Sequence, residues 1–280
     1  DYYGNAVRYV APKTGKLLFQ LSGKTAKLSY PAAVAVDRHH NTYVLGHFDN
    51  ASNREVFEIL VFDANAPLTK HPKPSRVIVG SHTRLAYGNL AVDAAGRIYV
   101  TVQNPANAIL VFAKGANGNV APKATIAGSL TQLAGTEGIA IAPDGTIHVA
   151  TIGKVLTFAK TASGNVAPVA TLNAGASSAT LTGLAYDASG NLLVADDDRA
   201  VYAYVAAASG SDAPLWTLHG PRTKMLQTYS AVADKDGYLY VSFEAANTGE
   251  VGIYKPGGGN LRPIAHLAFS FPSDQIAAMP

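Results

Sequence analysis

The residues best equipped for chemistry in this sequence are oxygen donors: Asn89, Glu137, Asp196 and Asp274, with the phenol of Tyr229 as a further polar group. Carboxylates joined by an amide oxygen are the ligand set of a hard cation such as calcium, and a carboxylate beside a bound divalent ion is equipped to activate water. The run Asp196-Asp197-Asp198-Arg199 is the most acidic spot in the chain, where a cation or a basic partner would gather; its plainer reading is a strand end followed by a solvated loop. The eight histidines invite a zinc reading. His39 and His40 stand at one end of an expected strand and His47 at the other, roughly 20 Å apart at 3.3 Å per residue, so they cannot share an ion. No Gly-x-Ser-x-Gly elbow and no glycine-rich phosphate loop before a helix is present, which removes serine hydrolases and nucleotide binders. The absence of cysteine removes disulfides and thiolate metal sites.

The elements that would position these donors are set by an internal repeat. Segments 34–44, 90–100, 139–149, 184–194 and 231–241 each read as a short apolar run, an acidic or small residue, a turn, and a second run ending in valine. A sixth copy opens at Ile276. The equivalent residues Asp37, Asp93, Ala142, Asp187, Asp234 and Met279 lie 56, 49, 45, 47 and 45 residues apart. A period of about 40 to 50 residues holding four short strands is that of a propeller blade. In the second unit the strands are predicted at 89–92, 97–102, 108–112 and 123–126. Gly96, Gly145, Gly190 and Gly237 supply the positive φ of a tight hairpin, while His39-His40 fills that turn in the first unit. A second element, Gly-Asn-Val-Ala-Pro or a near variant at 118–122, 164–168 and 210–214, places proline just ahead of the outer strand, where a missing amide donor matters least.

These units, above all Gly138–Val149 with its following Val-Phe strand and Gly-Asn-Val-Ala-Pro turn, resemble NHL repeats, particularly the tandem arrays of exported bacterial proteins. The resemblance covers nearly the whole chain. It implies an all-β fold, a six-bladed β-propeller in one domain spanning 1–280, and an extracellular or periplasmic location. The sixth blade is expected to be shared between the termini: 7–10 and 16–21 match third and outer strands, and 275–278 an inner strand. The equivalent of Asp144–Ala150 is missing from both ends, so a further stretch of chain or a second copy is expected to supply a strand. Beginning at Asp1, the sequence reads as a processed chain or a piece of a longer one.

In such a ring the loops entering inner strands and leaving second strands surround a central channel, and those columns select Asn89, Glu137, Asp196, Tyr229 and Asp274 as ligand-binding candidates. The gluconolactonase and senescence-marker propellers, distantly similar, hold a divalent ion there with Glu, Asn and Asp; the ligand spacing is not reproduced in this chain. The reading favoured is a non-catalytic interaction or scaffold propeller, with no resident cofactor, that binds a protein, a glycan or another copy of itself. The alternative is a divalent-metal lactonase or related hydrolase, with calcium as its ion. His148 shares the column of Tyr43, Tyr99, Leu193 and Tyr240 and is expected to pack between blades. Lys13, Lys16, Lys73, Lys114, Lys123 and Lys160 fall mainly on the face opposite the channel loops. The 22 Lys and Arg against 19 Asp and Glu are too balanced for a nucleic-acid partner, and no apolar run approaches the roughly 20 residues of a membrane span.

Overall fold

The computed structural model describes residues 5–66, 72–103, 107–175, 179–245, 248–269 and 276–278. Twenty-two strands run in chain order, with three single-turn 3-10 helices and no α-helix among the described residues. The first two, β1 (Val7–Val10) and β2 (Leu17–Leu21), pair as an antiparallel ribbon. The other twenty form five four-stranded antiparallel sheets. Blade one is β3 (Pro31–Val36), β4 (Thr42–Asp49), β5 (Glu55–Phe62) and β6 (Arg76–Val79). Blade two is β7 (Leu90–Val92), β8 (Ile98–Val102), β9 (Ala108–Phe112) and β10 (Ala124–Ala127). Blade three is β11 (Ile139–Ile141), β12 (Ile147–Thr151), β13 (Lys154–Phe158) and β14 (Ala170–Asn173). Blade four is β15 (Leu181–Tyr186), β16 (Leu192–Asp196), β17 (Ala200–Tyr204) and β18 (Trp216–Leu218). Blade five is β19 (Gln227–Ala233), β20 (Leu239–Ala245), β21 (Thr248–Tyr254) and β22 (Ala265–Phe269).

The expectation of six blades, the last shared between the termini, is overturned. Among the described residues there are five blades and the two-stranded ribbon. Ile276–Ala278, expected in an inner strand, have no regular secondary structure, and Gln275 lies outside the described residues. A three-residue segment without the hairpin partner that Asp144–Ala150 gives blade three has no ladder to hold it extended. The ribbon instead bridges the fifth and first blades. Lys13 N–H donates to Tyr240 Oη at 2.9 Å and its ammonium pairs with Asp236 at 2.9 Å. On the other side Tyr9 Oη lies 2.6 Å from Thr42 Oγ1, and Val7 and Tyr9 pack on a core of Leu21, Leu28, Val44, Leu60 and Phe62.

In four of the five blades the hairpin between first and second strands is built by its aspartate. Asp37 Oδ1 accepts the amides of His39 and Asn41 at 2.8 and 2.9 Å, and Asp93, Asp187 and Asp234 do the same for their turns. The second oxygen of Asp37, Asp93 and Asp234 accepts a tyrosine hydroxyl six residues on, at 3.1 to 3.2 Å. Blade three has Ala142 in place of that aspartate and His148 in place of the tyrosine. The two changes belong together, because a tyrosine there would lose its acceptor. His148 Nδ1 instead meets Tyr186 Oη of blade four at 2.6 Å, so an intra-blade bond becomes an inter-blade one. Four members of this column, Tyr43, Tyr99, His148 and Leu193, are buried and Tyr240 is half-buried, in keeping with its packing role.

The Gly-Asn-Val-Ala-Pro loops latch each blade to the one before it. The outer strands make parallel bridges Ile78 to Gly118, Ile126 to Gly164, Leu172 to Gly210 and Leu218 to Gly259. At three of these junctions the next residue is an asparagine whose Oδ1 accepts an amide of the preceding 3-10 turn: Asn119 from His82, Asn165 from Leu130 and Asn260 from Arg222, all at 2.8 Å. The turns themselves are Gly-x-x-Thr, with threonine hydroxyls donating to Gly80, Gly128 and Gly220 carbonyls at 2.6 to 2.7 Å. These glycines sit at φ near 120°, and a Cβ on Gly80 or Gly128 would lie 2.5 Å from the capping asparagine, so no other residue fits.

Candidate functional site

Antiparallel pairing fixes two faces. Loops entering first strands and hairpins between second and third strands lie on one, the channel face; the aspartate hairpins and the proline-bearing loops lie on the other. On the channel face the side chains of Glu137, Tyr229 and Asp196 are tied into the frame. Glu137, on the entry to β11, accepts from Gln103 Nε2 at 2.8 Å, and the same amide donates to the Thr136 carbonyl at 2.8 Å, which joins blades two and three. Asn89 is held through its backbone, its amide donating to Thr101 Oγ1 at 2.9 Å. Tyr229 Oη lies 3.3 Å from two acceptors of its own blade, Gln227 Oε1 and Glu244 Oε2. Asp274 lies outside the described residues. No described hydrogen bond or ion pair joins any two of these candidates, and among the described residues no three acidic, histidine or cysteine side chains converge as metal ligands.

Asp196 is the most unusual of the set. It ends β16 with no exposed surface. One oxygen accepts the Asp198 amide at 2.7 Å, which folds the acidic run into a turn that Asp197 secures by exchanging bonds with Thr180 at 3.0 Å. Its other oxygen meets no donor at hydrogen-bonding geometry and presses on Gly175, where a Cβ would stand 2.2 Å away. Burial, reinforced by Asp197 and Asp198, raises its pKa against the Asp198 amide and the Tyr202 phenol.

The histidines separate as the sequence reading requires. His47 lies at the far end of β4 from the His39-His40 turn, buried, stacked on Tyr30 at 4.8 Å and beside Phe57 at 5.3 Å. His148 is held neutral: burial, only partly opposed by Asp144, pulls its pKa down to about 4.

Two features escaped the sequence reading. Glu58 on β5 is buried, and its pKa is pushed up to about 7 by burial despite the nearby Lys27; after the exposed Glu55 at the start of the strand it is the one acid in an apolar run, which was the available signal. The other is a cavity of about 290 Å³ between the aspartate hairpins of blades one and two, on the face opposite the channel loops. Its signal was the bulky Arg38-His39-His40 turn, where the other four units end the turn on glycine.

No family model matches the chain, and no curated protein matches it in sequence. Among solved structures, a Bacteroides caccae protein of unknown function superposes with a TM-score of 0.64 at 11% identity, over 96% of this chain and 93% of that one. Raptor from Chaetomium thermophilum superposes with a TM-score of 0.57 at 12% identity over 93% of this chain. The chain is a β-propeller. It spans only about a quarter of Raptor's length, 26%, and identities this low speak for fold alone.

Proposed function

We propose that this propeller is a non-catalytic interaction module of the NHL-like exported kind, whose channel face engages a protein, a glycan or another copy of the chain. The observation that carries the reading is the division of labour on that face. Glu137 and Asp196 hold blades and turns together, while Tyr87, Leu130, Ile152 and Leu226, on channel-face loops of blades two, three and five, remain 41 to 56% exposed. Loops presenting large exposed apolar side chains suit a macromolecular contact, whereas hydrolysis needs a convergent acid, base or metal. A screen of lactones and esters with calcium, magnesium or zinc tests it: the expected result is no turnover above buffer. Turnover abolished by Glu137→Gln or Asp196→Asn would overturn it.

A further inference from the structure

The cavity between blades one and two differs from two of the corresponding junctions in the ring. Between the fifth blade and the ribbon, Lys13 fills the space, paired with Asp236 and lying 4.8 Å over the Tyr238 ring. Between blades three and four the Tyr186–His148 bond closes it. Between one and two the space stays open, at a size near the lower end of small-ligand sites, about 300 Å³ and room for one sugar ring.

Its floor is preorganised. Arg76 lies over the Tyr43 ring at 5.7 Å and donates to the Ala116 carbonyl at 3.0 Å and Tyr43 Oη at 3.4 Å, which fixes the guanidinium plane. Asp93 is neutralised by Arg97 at 2.6 Å. That leaves three cations, Arg38, Arg76 and Lys114, against Asp37 and Asp63. Asp37 is occupied by the turn, and Asp63 Oδ1 takes the Ser75 hydroxyl at 2.8 Å, so its second oxygen is available. Arg38 has one described bond, to His39 at 3.3 Å, and Lys114 has no hydrogen-bond or ion-pair partner among the described residues. The turn that presents Arg38 and His39 places His40 at φ 62°, where the other four turns have glycine at 79 to 91°.

We propose that this cleft binds a polyhydroxylated anion the size of one sugar ring, a uronic acid, with its carboxylate on Arg38 and Lys114 and its hydroxyls bridging Asp63 and Arg76. Planar guanidinium and carboxylate groups interleaved in this way satisfy adjacent hydroxyls in pairs, and the surplus positive charge selects the acid. The site is separate from the channel face, so its failure leaves the interaction reading untouched.

Calorimetric titration of the full chain with glucuronate, glucose and sodium sulfate tests it. Saturable glucuronate binding is expected, at least about tenfold tighter than glucose or sulfate. It should be lost in Arg38→Ala/Lys114→Ala, weakened in Asp63→Asn and kept in His40→Gly, with unchanged melting temperatures in the first two confirming the fold. The proposal is overturned if glucuronate does not bind. It is equally overturned if sulfate binds as well, or if Arg38→Ala/Lys114→Ala binds like the parent.

Discussion

Glu58 and His148 are buried ionisable groups with opposite pH signatures. Glu58 titrates near 7 in the folded chain against about 4.5 unfolded, so the native state holds its proton longer, and stability falls as pH rises between those values. Glu58→Gln should therefore leave stability unchanged near pH 4 and raise it above pH 7 by about 1 to 3 kcal/mol, read from denaturant midpoints. An equal effect at both pH values would contradict the burial argument. His148 is the mirror case: its folded pKa of about 4 lies below the ordinary 6.5, so its contribution is complete above 6.5 and lost as pH falls toward 4. An NMR titration should find its ring neutral at pH 5.5; a midpoint near 6.5 would mean that the Tyr186 contact does not exclude water. None of these shifts was legible in the sequence, because burial of one acid in an apolar strand depends on which face the neighbouring blade covers.

The hairpins and latches carry most of what the sequence did disclose. The segments 90–92, 139–141 and 108–112 stand where the repeat placed them, because apolar runs bounded by aspartate and glycine turns have few other ways to pair. The Gly-x-x-Thr turns were missed: they recur only three times, and their meaning lies in a contact with an asparagine about 37 residues downstream. Blade four shows the coupling, with Ser211 in the asparagine position and Ala174 following β14 in place of the turn's glycine. Asn165→Ala should accordingly destabilise by about 1 kcal/mol, the scale of one lost capping bond. Gly128→Ala should be worse, since its Cβ would strike Asn165 at 2.5 Å and its φ of 121° disfavours any side chain. If Asn165→Ala matched the parent's thermal midpoint, the latch would be ornamental.

At the scale of the whole molecule, the sequence indicated a ring of repeats and miscounted its blades. The error arose at the seam, where Ile276–Ala278 match an inner strand by residue type but lack the partner that would make them one, and pairing, not composition, decides a strand. The ring is joined there by the β1–β2 ribbon, and elsewhere by latches, inter-blade side-chain bonds and channel-face carboxylates that serve the frame. That last assignment is the central claim, and divalent-ion titration followed by thermal unfolding tests it most directly. An ion held by Glu137 or Asp196 would stabilise the chain by about 2.7 kcal/mol at a hundred times its Kd. Calcium, magnesium and zinc up to about 10 mM, well past the affinity of ordinary extracellular calcium sites, should leave the melting temperature unchanged. A saturable rise that disappears in Glu137→Gln or Asp196→Asn would contradict the claim.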